Sequence, residues 1–136
     1  MCVVRVTAKN FRVDDFLSAT TLRPQRVWRT GDVRHLADGR AEVLDTSGVV
    51  LSVSDALPDR VAPLLDEIRS FLMANGDQLR RLHDMIQDGE MVLDIAVAWD
   101  AEKASHHEHI PADVVALLAE YGLGIELSYY AVSSDQ

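Results

Sequence analysis

Arg23, Arg26, Arg29 and Arg34 fall within twelve residues of one another, with Trp28 among them. A guanidinium fork holds a carboxylate or phosphate through two parallel hydrogen bonds, and its plane stacks on indole. In an extended segment Arg26 and Trp28 share one face and Arg29 takes the other. Gly31 and Asp32 follow at once. Glycine admits a backbone conformation closed to other residues, and an aspartate can bond back to nearby N–H groups and hold the turn. Such a turn would set Arg26, Arg29 and Arg34 against Trp28. This patch, with Arg26, Trp28, Arg29, Gly31, Asp32 and Arg34 as its residues, suits an acidic partner or a small anion. The competing expectation is that these arginines bridge to the protein's own acidic helices.

A second cluster is His106-His107-Glu108-His109. Imidazole and carboxylate ligate zinc, nickel or copper. Adjacent side chains diverge, however, and metal sites draw their ligands from separate elements. No metal is expected; were one held, His106, His107 and His109 would supply the ligands. The alternative is a solvated polar loop. His35 and His83 stand apart, and the carboxylate pairs Asp14-Asp15, Asp66-Glu67 and Asp94 with Asp100 are unremarkable in a chain that is 26% charged.

Other signatures are missing. The chain has no Gly-x-Ser-x-Gly, no phosphate-binding Gly-Lys-Ser/Thr loop, no Gly-x-Gly-x-x-Gly and no His-Glu-x-x-His. No cofactor is expected. Cys2 has no second thiol to pair with, and a nucleophilic role would need a base brought close to it.

The elements that would position these residues follow from period. Cys2, Val4, Val6 and Ala8 alternate with polar neighbours as a strand, and Asp14-Asp15 open a short helix that Pro24 ends. Residues 41–45 and 49–54 have the pattern of two strands joined in a hairpin at Asp45-Thr46-Ser47-Gly48. Val61, Leu65, Ile68 and Leu72 mark one helix that Asn75-Gly76 should end; Leu79, Leu82 and Ile86 mark a second, capped by Asp77. Residues 90–99 alternate cleanly, with Met91, Leu93, Ile95, Val97 and Trp99 turned to the core, so Trp99 is expected beneath the helices. A polar loop over 100–110, a helix through Val114, Leu117, Leu118 and Tyr121, and a strand with Ile125, Leu127 and Tyr129 inward complete the chain. Strands with one wet face belong to a sheet covered on one side. The expected architecture is a single α+β domain over residues 1–136, a five- or six-stranded, mostly antiparallel sheet with its helices on one face.

The net charge is −9, yet residues 1–40 hold eight Lys and Arg against four Asp and Glu, and the remainder five against eighteen. An acidic whole repels phosphate backbones, so nucleic acid is not an expected partner. No apolar run approaches the roughly 20 residues of a membrane span, nor the length of a signal sequence. A cytoplasmic location and no membrane partner are the expectation.

Phe11, the short helical turn, Pro24 and Val27-Trp28-Arg29-Thr30-Gly31-Asp32 together resemble the opening of a bacterial family catalogued as domain of unknown function 4279. Its members run proline, a variable stretch, an aromatic, a basic residue, then Gly-Asp. The remaining order agrees: two helices, a strand ending in Trp99, a helix closing on Leu-Ala-Glu-Tyr-Gly, and a final strand ending at Tyr130. One departure is Val49-Val50-Leu51, where members carry a tryptophan, so any pocket wall made by that ring is altered. The resemblance implies an α+β fold and brings no activity with it. The expected function is a non-enzymatic binding or interaction module for a protein partner or small anionic ligand, of the kind seen in immunity proteins. The alternative is a small metal-dependent hydrolase, or another enzyme, using the His106–His109 loop.

Overall fold

The alternation at the start of the chain becomes β1 (Cys2–Ala8), whose even-numbered residues are buried while Val3, Arg5 and Thr7 are only partly covered. The computed structural model describes residues 1–100 and 102–132. In it β1 is the middle strand. β5 (Ser47–Ser54) lies antiparallel on one side of β1 and β6 (Glu90–Asp100) antiparallel on the other. β2 (Pro24–Trp28) adds to β5 as one edge, and β7 (Gly124–Val132) adds parallel to β6 as the other. The order is therefore β2-β5-β1-β6-β7, five strands with a single parallel pair. A separate two-stranded ribbon is formed by β3 (Val33–His35) and β4 (Ala41–Val43).

Three helices cover the face carrying Val4, Val6, Leu51, Leu93 and Ile95: α1 (Val13–Ala19), α2 (Leu65–Met85) and α3 (Ala112–Glu120). Ile68, Leu72, Leu79 and Leu82 of α2 and Val114 and Leu118 of α3 close the core over that face. The fold class and the one-sided helix layer agree with the sequence expectation. Among the described residues, no helix is long and apolar enough to cross a membrane.

Two local expectations are corrected. Asn75-Gly76 does not end a helix, because α2 runs unbroken through it for 21 residues. Gly76 sits on the buried stripe, and a Cβ there would come within 2.5 Å of the Tyr121 hydroxyl. Glycine is present so that α2 can approach the end of α3, and its helix cost of about 1 kcal/mol is offset by that contact. Asp77 then pairs with Arg80 one turn on, at 3.8 Å, and caps nothing.

The second correction concerns the hairpin. Residues 41–43 pair with β3, at Val33–Val43 and His35–Ala41, while β5 pairs with β1 and β2. Asp45-Thr46-Ser47-Gly48 has turn composition for another reason. The buried Ser47 hydroxyl accepts the Thr30 N–H at 2.9 Å, and Thr46 Oγ1 accepts the Trp28 indole N–H at 3.3 Å. Gly48 leaves room for the Trp28 ring. Small and hydroxylated residues serve here as packing partners of β2 and the turn after it.

Candidate functional site

From Arg26 to Trp28 the side chains of β2 alternate in regular register, so Arg26 and Trp28 rise on the face of the sheet that no helix covers. Arg26 pairs across to Val50, and Val50 pairs across to Arg5. That row puts two guanidinium groups on one face, either side of a valine. The Arg26 Cζ lies 5.2 Å from the centre of the Trp28 ring, within cation–π range. Trp28 is held by the Thr46 hydroxyl at its N–H and by the flat floor of Gly48 beneath it. Arg34 reaches the same place from β3, and with Leu44 and Thr46 these residues line an open cleft of about 230 Å³.

Electrostatically the cleft is not uniform. Arg5 bonds Asp94 at 3.0 Å and also bonds Glu126, and Ser128 donates to Asp94 at 2.8 Å. Partial burial pulls the Arg5 guanidinium down, but bonds to Glu126 and Asp94 outweigh this and hold it above its ordinary value. Arg34 is bonded to Glu42, its cross-strand partner. Arg26 has no carboxylate partner among the described residues, so its fork remains open to a ligand.

Arg29 does not belong to this cleft. It lies on the opposite phase and clasps Asp14 in the first turn of α1, with Nη2 at 2.7 Å and Nε at 3.0 Å from the carboxylate oxygens. The bond to Arg29 holds the Asp14 carboxyl below its ordinary value. One of the grouped arginines thus makes the bridge to the protein's own acidic helix. The turn that follows is as the sequence implies. Gly31 has φ of +93°, and Asp32 accepts the Arg29 N–H at 2.8 Å. It hands the chain to the β3–β4 ribbon through Gly31 N–H to Leu44 O and Leu44 N–H to Asp32 O, both 2.8 Å. Gly31 and Asp32 build the turn that carries Arg34, and they do not line the cleft.

Arg5, Leu44 and Thr46 are the cleft residues that sequence reasoning passed over. The polar phase of β1 marks Arg5 as solvent-facing, but only the strand order brings it beside Arg26.

The histidine loop resolves differently. His106 and Glu108 turn inward, whereas His107 and His109 are exposed. His106 Nε2 lies 2.6 Å from Glu108 Oε1, and the other oxygen of Glu108 accepts the Val61 N–H at 2.9 Å. The His106 ring stands edge-on to Tyr129, centroids 5.3 Å apart. Among the described residues, no three His, Cys, Asp or Glu side chains gather as a ligand set. Alternation along the loop sends His107 and His109 away from His106, which is why the three metal candidates do not converge.

Trp99 sits with this group and not beneath the helices. β1 is paired only as far as Ile95, so the end of β6 runs past it with β7 as its neighbour in the sheet. There Trp99, His106 and Tyr129 line an open cavity of about 260 Å³. Trp99 is half-buried, and its indole N–H is buried without an acceptor among the described residues. Removing the Glu108 carboxylate by Glu108→Ala leaves the Val61 N–H unsatisfied and His106 unheld. A loss of about 1–3 kcal/mol is expected in urea unfolding; an unchanged midpoint would show that water replaces the carboxylate at no cost.

No family model, no curated protein and no solved structure matches this chain.

Proposed function

We propose that this chain is a non-enzymatic binding module that grips a single anionic group of a protein partner on the helix-free face of its sheet, with Arg26 and Trp28 as the anchor. The observation that carries this is the open Arg26 fork, laid against a fixed indole while Arg5, Arg29 and Arg34 are each paired to carboxylates. One free guanidinium matches one carboxylate or phosphate, not a polyanion, and the net charge of −9 points the same way. Membership of the family resembled above, and an immunity-protein role within it, fit a small acidic binding module.

The test is capture of partners by the purified chain from a lysate of its native host, read by mass spectrometry. Arg26→Ala should keep the melting temperature, since Arg26 makes no ion pair among the described residues, and should lose the captured partner. Full retention of that partner in Arg26→Ala and in Trp28→Phe would overturn the proposal.

A second reading rests on the His106–Glu108 pair. A carboxylate that orients an imidazole at the rim of an aromatic cavity is the arrangement of a general acid–base group. It supports an enzyme that works by proton transfer more than one that works by metal. Hydrolysis of an ester panel abolished by His106→Gln would establish it over the binding module.

A further inference from the structure

The two edges of the main sheet are built in opposite ways. β2 is five residues long, begins at Pro24, carries Arg26 and breaks register between Pro24 and Arg26. Short length, proline, a basic side chain and an irregularity are the devices by which an edge is kept from pairing with another chain. β7 has none of them. It is nine residues long, Gly-Ile-Glu-Leu-Ser-Tyr-Tyr-Ala-Val, without proline, lysine or arginine. It follows β6 residue for residue from Gly124 to Val132. Its outer row of N–H and C=O groups has no strand partner among the described residues. Ile125, Tyr129, Tyr130 and Val132 are 39%, 44%, 57% and 47% exposed, a density of apolar surface that a bare edge does not need.

The charge pattern selects the occupant. Glu126 is the one charged residue of β7, and Arg5 of its own chain bonds it together with Asp94. A strip with a single, ion-paired carboxylate on a molecule of net charge −9 is where a second copy meets little like charge. In an antiparallel pairing the two-fold axis passes through one residue facing itself. With Ser128 on that axis all nine residues find partners. Leu127 faces Tyr129 and Ile125 faces Ala131 on the helix side, while Glu126 faces Tyr130 on the open side. Centring on Glu126 would oppose two carboxylates and leave half the strand unpaired.

We infer that β7 is a self-association edge, pairing antiparallel with β7 of a second copy about Ser128 to give a continuous ten-stranded sheet with all helices on one side. This edge is distinct from β2, which lies at the opposite side of the sheet, although Arg5 touches both, lining the cleft and bonding Glu126.

Sedimentation of the full chain over a concentration series is expected to show a reversible monomer–dimer equilibrium. Tyr130→Glu places a carboxylate opposite Glu126 twice per dimer and should weaken association at least about tenfold. Tyr130→Lys sets an ammonium there instead and should keep or tighten it. Loss of an apolar contact alone would weaken both variants equally, so the difference between them reads the register. Hydrogen exchange supplies a readout without substitution: β7 amides should gain protection as concentration rises, and β2 amides should not. A monomer at every concentration, equal weakening by both variants, or concentration-independent exchange in β7 would overturn the inference.

Discussion

Gly48→Ala is expected to destabilise the fold by about 3 kcal/mol, the upper part of the range for overpacking a filled interior. In an ordinary strand the same change is favourable by about 0.5–1 kcal/mol, because glycine surrenders more backbone freedom on folding. Here the sign reverses. A Cβ on Gly48 would overlap both the Trp28 ring and the carbonyl oxygen of Val6. The indole can swing away, but the carbonyl is part of β1, which is fixed on both sides by β5 and β6. Relief therefore requires either a shift of β5 within the sheet or loss of Trp28 from its seat, and the second removes the support of Arg26. Urea unfolding read by circular dichroism gives the stability. In a Trp99→Phe background, the emission of Trp28 reports its environment directly. A midpoint at or above that of the parent protein would show that the sheet accommodates the methyl group, and the account of Trp28 as a fixed platform would fall with it.

The second large effect lies at alkaline pH and comes from Cys2. Its side chain is fully buried between Ser54 and Ile95 of the neighbouring strands. Burial, which disfavours the thiolate, pushes the thiol from 9.0 up to about 12. Below pH 9 both folded and unfolded chains keep this proton and the group contributes nothing to the pH dependence. Between pH 9 and about 12 the unfolded chain releases it while the folded chain retains it. Stability then falls by about 1.4 kcal/mol for each pH unit, about 4 kcal/mol across the window. Other alkaline groups add their own slopes, so the comparison is with Cys2→Ala measured at the same pH values. The difference in stability between the two proteins should stay constant to pH 9 and narrow steadily above it, whatever packing the alanine loses. Parallel profiles through pH 11 would mean that the thiol meets water in the folded state. The same burial predicts that a disulfide reagent labels Cys2 only after unfolding.

The strands that alternate without interruption were plain in the sequence, because period two needs only that one face be dry. β1 shows it, and Arg26, Trp28 and Arg29 divided between faces for the same reason. β6 also buries Val92 and Ala96 of its other phase, and in β7 the expected inward residues Ile125 and Tyr129 stay exposed because the strand is an edge. Two kinds of feature escaped. Gly76 and Gly48 carry turn chemistry in their types, yet each is a small residue at a close approach, between helices in one case and under an indole in the other. Composition cannot separate these uses, since the second depends on a neighbour far along the chain. The cleft escaped for a related reason. Arg5 lies 21 residues before Arg26, and only the strand order, with β5 inserted between β1 and β2, makes them neighbours. The histidine loop was visible as a cluster, but its useful pair is His106 with Glu108. The alternation that joined those two is the one that separated His106 from His107 and His109.

The middle position of β1 also fixes a timetable. β1 is synthesised before β5 and β6 and has no lasting partner until they exist, and its pairings span from 39 residues, Ala8 to Ser47, up to 93 residues, Cys2 to Ile95. At ordinary rates of synthesis the wait for β6 is on the order of ten seconds. During it Cys2-Val-Val-Arg-Val-Thr-Ala is an apolar strand with two open sides, and Arg5 is the charge that interrupts it. Contacts this distant also make refolding slow for a chain of this size, in the millisecond-to-second range typical of non-local sheets. The residue that bridges Asp94 and Glu126 in the finished protein thus serves earlier as a gatekeeper on the nascent strand.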